Sequence, residues 1–359
     1  MVTYKRLLAG LDTIQAAYYM RRCSLGGFDF EPLMLAKEEL RADKGRDGTL
    51  IELGNAIFML RSYGSSSGYP LVLDHAEYTI QCGEFNNPSF FVTYRSQALW
   101  QRGARALHGS FLGWAESVGL EAFRPESLSR VDFTFDYQIP EIDFDGESMV
   151  SLSTKDAQYR EDGKLQTLTY GKGDVVLRIY DKVAEIAQRS EKVWFFELWG
   201  VKENVWRIEW QVRKDVLRRF GIRTYEDLFG GQSDVLRYLA SEHDSLRVRT
   251  VDSNRSRWPV HPLWEDLMAQ IESFNSQGVY REIDPQAVLN ERLMRIAISV
   301  HGYHKRVAAI ISIQNQTGGA SLGESLERLN ALIRKVHNPL SWQVDVKMRR
   351  DQMLVGAGS

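Results

Sequence analysis

The sequence predicts an α+β chain: a mostly antiparallel sheet, in which an order of strands and then helix occurs twice, followed by a helical C-terminal region. Three observations carry this. Segments 129–137, 177–182 and 206–214 alternate apolar and polar residues with a period of two, as half-buried strands do. The strands-then-helix order is met once before residue 125 and again after it. Residues 259–359 space their apolar residues as helices do.

Residues 10–20 open the sheet. Residues 57–60 and 71–73 are strands flanking a Gly/Ser-rich turn at 62–70, and 78–82 and 90–94 flank a loop at 83–88. Residues 98–118 predict a helix, with Leu107, Phe111, Trp114 and Val118 on one face and Gly119 as its stop. Strands resume at Ser129 and run to Val212, followed by a helix from about residue 215 and another over 225–239. Residues 264–274, 285–313 and 322–336 are predicted helices, the last ending near Pro339. The expected divisions are 1–125, 126–258 and 259–359.

The chain has 359 residues, 43% hydrophobic and 11% aromatic, enough for a large packed core. Its net charge of −2 weighs against a generally basic nucleic-acid binder. Local clusters weigh the other way: Arg213, Lys214, Arg218, Arg219 and Arg223, then Arg247, Arg249, Arg255 and Arg257. Cys23 and Cys82 lack metal-ligand spacing, and no secretory signal or membrane-length apolar run is visible. A cytoplasmic protein with reduced thiols and no membrane partner is expected.

The middle strands carry the chemistry. In 177–182 the apolar residues alternate with Arg178, Tyr180 and Lys182, so a phenol stands between two cations. Cations favour the phenolate and bind phosphate oxygens, which makes Tyr180 a candidate nucleophile on a phosphodiester. In 129–137 the polar face presents Arg130, Asp132, Thr134 and Asp136. The two carboxylates stand roughly 13 Å apart on a regular strand, too far to share one ion without a bend. In 206–213 Arg207, Glu209, Gln211 and Arg213 share the polar face. Carboxylate ligands suit Mg²⁺ or Mn²⁺ and phosphate chemistry. Cross-strand salt bridges are the alternative use of the same residues.

The order of these segments resembles one family. Ser129-Arg130-Val131-Asp132 with Asp136, a Tyr170-Gly171 segment, Arg178-Ile179-Tyr180-Asp181-Lys182 with Glu185, and Arg207-Ile208-Glu209 are similar to the Rep_trans rolling-circle replication initiators. That family takes in initiators of plasmids and filamentous phages and the related relaxases of integrative conjugative elements. The resemblance covers roughly residues 5–219. It implies that the two halves are related and form one continuous sheet with helices packed on one side. It implies that Tyr180 nicks one DNA strand, joins the 5′ phosphate and leaves a 3′ hydroxyl primer. It implies a divalent metal, Mg²⁺ or Mn²⁺, with Glu209 as a ligand; Asp132 and Asp136 are the expected others and Asp181 a further candidate. Arg178 and Lys182 are expected to lower the Tyr180 pKa and hold phosphate, and Arg130, Arg207 and Arg213 to face DNA. Tyr170, or Tyr180 of a second copy in a homodimer, is the candidate second nucleophile for rejoining.

The expected DNA is an origin presented single-stranded or as a hairpin. With no phosphate-cradling P-loop in the sequence, a host helicase is expected to unwind it. Conjugative relaxases of the family carry a helix-turn-helix segment before the catalytic part. A first strand near Gly10 leaves no place for one, which favours a replication initiator. A non-catalytic DNA-binding protein and a hydrolytic nuclease remain as alternatives, separated by covalent DNA attachment. His301 and His304, three apart on a predicted helix, could share a metal but are the weaker site.

Overall fold

The first half begins with the long strand β1 (Lys5–Arg22), the helix α1 (Phe30–Ala42) and strands β2 (Gly48–Leu53), β3 (Ala56–Arg61), β4 (Leu71–Asp74), β5 (Tyr78–Cys82) and β6 (Phe90–Tyr94). Helices α2 (Ser96–Arg102) and α3 (Ala104–Ser117) close it. The second half repeats the plan: β7 (Leu120–Gln138), β8 (Met149–Ser151), β9 (Asp156–Glu161), β10 (Lys164–Tyr170) and β11 (Val175–Asp181). The short helices α4 (Lys182–Glu185) and α5 (Phe195–Trp199) precede β12 (Val205–Arg213), α6 (Lys214–Arg219), α7 (Tyr225–Tyr238), β13 (Asp244–Leu246) and α8 (Pro262–Ile271). Three helices follow, α9 (Pro285–Asn315), α10 (Leu322–Val336) and α11 (Pro339–Leu354). The computed structural model describes residues 4–23, 27–43, 47–274 and 285–354.

Eleven strands form one antiparallel sheet in the order β2-β3-β4-β5-β6-β1-β7-β12-β11-β10-β9, with β8 and β13 as a separate pair. The two halves meet where β1 and β7 run side by side for most of their lengths. The division expected at residue 125 thus falls inside β7 rather than in a linker.

Period-two alternation sets the faces. Ile14, Val131, Phe133, Phe135, Leu177, Ile179, Ile208 and Trp210 all point to one side and are fully buried. Helices α1, α3, α7 and α8 cover that side with residues such as Leu33, Phe111, Leu228, Val235, Trp264 and Leu267. The opposite side is covered locally as well. The segment 183–199 brings Ile186, Trp194, Phe195, Phe196 and Trp199 against Trp100 and Val205 in a smaller apolar cluster. This second layer buries the polar side of β12, which sequence alternation alone left facing solvent.

Several boundaries differ from expectation. The single helix expected over 98–118 is two, broken at Gly103 (φ 78°, ψ 160°), a conformation that side chains disfavour. The break lets Trp100 join the cluster on the polar side while Leu107, Phe111 and Trp114 enter the main core. Pro339, read as a stop, instead starts α11, as proline at a first helical turn can. The hairpin β9–β10 turns on Asp162-Gly163, both with positive φ (48° and 76°), as a two-residue type I′ turn requires.

Among the helices described, none is long and apolar enough to cross a membrane. Cys23 and Cys82 are not disulfide-bonded. His304 is buried, with Nδ1 2.7 Å from the Ser325 hydroxyl, so it fastens α10 to α9.

Candidate active site

The polar side of the second half is a grid of cross-strand rows. In one row Thr169 pairs with Arg178, Arg178 with Glu209 and Glu209 with Thr134. In the next, Thr167 pairs with Tyr180, Tyr180 with Arg207 and Arg207 with Asp136. Tyr180 and Glu209 are thus diagonal neighbours, a spacing that long side chains bridge. The Tyr180 hydroxyl donates to Glu209 Oε2 at 3.0 Å, and Arg178 Nη1 donates to Glu209 Oε1 at 3.0 Å. Tyr180 and Arg178 are half-buried and line a cleft of about 220 Å³ with Tyr159, Gln166, Thr167, Asp181 and residues of the 184–189 segment.

The phenol is not pre-ionised. Burial raises its pKa well above the ordinary tyrosine value, and the neighbouring Glu209 carboxylate raises it further, against the opposing pull of Arg207. The cations expected to lower it are engaged elsewhere: Arg178 with Glu209, and Lys182 with Glu185 at 2.6 Å. Strand β11 ends at Asp181, whose carboxylate caps α4 by accepting from Ala184 N at 2.9 Å. Lys182 therefore begins a helix and is buried. Its ammonium lies 5.5 Å from the Tyr180 ring centre and 5.4 Å from that of Phe195. Burial, then the nearby Arg207, lowers the Lys182 pKa.

Beside the cleft lies a buried ionic network. Arg207, fully buried, grips Asp136 through Nε (2.7 Å) and Nη2 (2.8 Å) and reaches Asp12 Oδ1 through Nη1 (2.6 Å). Trp199 Nε1 donates to Asp136 at 2.9 Å. Asp12 also receives Ser96 Oγ, Trp100 Nε1 and Lys192 Nζ at 2.8, 3.1 and 3.2 Å. Burial alone would raise the Asp12 carboxyl, but Lys192, Arg207 and Lys182 hold it well below the usual range.

The structure sorts the expected residues accordingly. It brings Tyr180, Arg178 and Glu209 together. Arg207 is sealed inside the network and has no surface to offer DNA. Asp136 is bound to Arg207 and Trp199. Asp132 is nearly fully buried and takes two hydrogen bonds from Arg130, Nε at 2.8 Å and Nη2 at 2.5 Å. Burial raises the Asp132 pKa to about 6, with nearby Glu209 adding to the rise and Arg130 opposing it. Arg213 is exposed and pairs in register with Arg130, so these two arginines stand together on the side that carries Tyr180. Tyr170 points the other way: it pairs with Leu177, is buried, and donates to Gly146 O at 3.1 Å. It stands on the face opposite Tyr180 and cannot share its cleft.

Sequence reasoning missed Asp12, Ser96, Trp100, Lys192 and Trp199. Asp12 carried a signal, since aspartate is disfavoured in strands and this one sits inside an expected strand. Its direction could not be read, because the β1–β7 register shifts between Leu11 and Thr13 and breaks the alternation there.

Among the described residues no three His, Cys, Asp or Glu side chains converge closely enough to enclose a metal ion. A Mg²⁺ or Mn²⁺ ion held by one or two carboxylates, with water and substrate phosphate completing its shell, still fits the donors present. Glu209 at the cleft would hold it, whereas Asp132 is buried and has both oxygens taken by Arg130.

No family model matches the chain, and no curated protein matches it. Among the solved structures that match, a rolling circle replication initiator protein from Geobacillus stearothermophilus aligns with 77% of this chain and 100% of its own. The TM-score is 0.46 and the identity 15%, a likeness too low to carry an argument about this chain.

Proposed function

We propose that this chain is a DNA nicking and rejoining enzyme that initiates rolling-circle replication through Tyr180. The observation that carries the reading is the Tyr180 hydroxyl, held by Glu209 with Arg178 on the same carboxylate, at a cleft on the sheet's polar side. The ordered segments shared with the Rep_trans initiators support it.

A phenol kept protonated needs its proton taken during attack. Glu209 already accepts the hydrogen bond from Tyr180 and is placed to take that proton as the oxygen attacks phosphorus. The phosphorus–O3′ bond breaks, the 3′ oxygen takes a proton from water as it leaves to become the hydroxyl, and the 5′ phosphate stays on Tyr180. Arg178, at the same carboxylate, is placed to hold a non-bridging phosphate oxygen. Mg²⁺ or Mn²⁺, when bound, polarises the scissile phosphate and offsets its developing charge. Resealing is the reverse attack by a 3′ hydroxyl on the phosphotyrosine and needs no ATP. With Tyr170 on the opposite face, Tyr180 of a second copy is the proposed second nucleophile. DNA enters single-stranded or as a hairpin, and a host helicase supplies unwinding.

Two measurements test this. Wild type incubated with Mg²⁺ or Mn²⁺ and labelled single-stranded origin DNA is expected to form a 5′-linked adduct on a denaturing gel, and Tyr180→Phe none. An adduct from Tyr180→Phe, or cleavage by wild type without one, overturns the assignment. Glu209→Gln keeps the side chain's shape but loses its charge. It is expected to slow metal-supported nicking by about 100-fold or more while DNA binding holds. Unchanged nicking would make Glu209 structural.

A further inference from the structure

The Tyr180 cleft contains a second tyrosine that the reaction above does not use. Tyr159 lies on β9, the last strand of the sheet, and is 55% exposed. Register places it in the nucleophile's own row: Tyr159 pairs with Thr167, and Thr167 with Tyr180. Residues in one row project to the same side, so the Tyr159 ring stands on the Tyr180 side, two strands away, about 10 Å at the usual strand spacing. The β9–β10 register shifts between Leu165 and Thr167, and both Gln166 and Thr167 line the cleft floor between the two tyrosines.

The opposite wall carries one exposed cation. The segment 184–189 contributes Ala184, Glu185, Gln188 and Arg189; Glu185 is paired with Lys182, and Arg189 is exposed. Gln188 Nε2 donates to Glu161 Oε2 at 2.8 Å, which ties this wall to the end of β9 and gives the cleft two sides. An exposed tyrosine on an edge strand is ordinary in itself. An exposed aromatic face sharing one cleft with Arg178, Arg189 and a nucleophile is the combination used to hold single-stranded DNA, rings taking bases and guanidinium groups taking phosphates.

We infer that Tyr159 is the stacking platform for a nucleobase of the single strand held in the Tyr180 cleft, with Arg189 holding a phosphate of the same strand. The role belongs to the ring and not to the hydroxyl. Phenylalanine can replace Tyr159, whereas a second nucleophile at this position could not lose its oxygen. The inference rests on reading the cleft as a single-stranded DNA site and is independent of the covalent step.

The test uses the full chain carrying Tyr180→Phe, so that nothing is cleaved, and a labelled oligothymidylate of about twelve nucleotides, within the range of single-strand binding sites. Adding Tyr159→Ala is expected to raise the Kd about tenfold, the loss of one stacked base. Adding Tyr159→Phe is expected to leave it within about twofold of the parent, well under the loss of a stack. With 5-iododeoxyuridine in the oligonucleotide, irradiation is expected to crosslink residue 159, read by mass spectrometry. Equal binding by the Tyr159→Ala protein, weakening by Tyr159→Phe as great as by alanine, or no binding by the parent overturns the inference. If wild type forms no adduct while binding still depends on the ring at 159, the nicking reading falls and this one stands.

Discussion

At the scale of single residues, Arg207 decides more than Tyr180. Its guanidinium is fully buried between Asp12 and Asp136, and removing one member of such a set leaves charge uncompensated in the interior. Arg207→Ala is expected to cost about 3–5 kcal/mol in urea unfolding, against little for the exposed Arg213→Ala. Asp12 adds a pH dependence of known sign. Its folded pKa lies below the unfolded value, so its stabilisation is present above about pH 4 and is lost as pH falls toward the folded pKa. Asp12→Asn is therefore expected to be less stable than wild type at pH 7, with the gap narrowing below pH 4. A gap constant from pH 7 to pH 3 would contradict the assigned charge state. Tyr180, Arg178 and Glu209 were legible in the sequence because strict alternation fixes which side chains share a face. Lys182 was misread because the strand stops one residue before it, at a carboxylate that caps a helix. Arg207 was misread because nothing in β12 itself announces the aromatic segment that covers it.

At the scale of elements, the hairpin β10–β11 positions Tyr180, and its turn depends on Gly171. There φ is +93°, and a Cβ would come within 2.3 Å of the Val175 carbonyl oxygen. Gly171→Ala combines a disfavoured backbone with a backbone clash and is expected to cost about 2–4 kcal/mol, measured by thermal or urea unfolding. An effect under about 0.5 kcal/mol, as for ordinary surface changes, would mean that the hairpin is not built this way. Strands 78–82 and 90–94 and the helix 322–336 were read to the residue, since each combines clear periodicity with flanking turn or cap signals. Helix α1 was missed although Asp29 caps it, its side chain accepting from Glu31 N. The Asp162-Gly163 turn was also missed, because β9, exposed along its whole length, lacks an apolar face to mark it.

At the scale of the whole molecule, the family resemblance, together with the recurring order of strands and helices, anticipated one sheet from two halves, and the sheet is continuous from β2 to β9. What sequence could not convey is where the halves touch. β1 and β7 form the centre of the sheet, and a side chain of one half crosses that seam to complete the interior of the other. Asp12 comes from the first strand, while Arg207 belongs to the strand that carries Glu209. The half that carries Tyr180 and Glu209 is therefore not a module in the sense of a part that can be moved. Cut away from its companion, it would expose the long flank of β7 and keep an arginine in its interior with one of its two carboxylates gone. A lineage that inherits the strand of Arg207 and Glu209 must inherit the other half with it, and recombination within the first 120 residues or so must preserve one aspartate that lies outside the Tyr180 cleft.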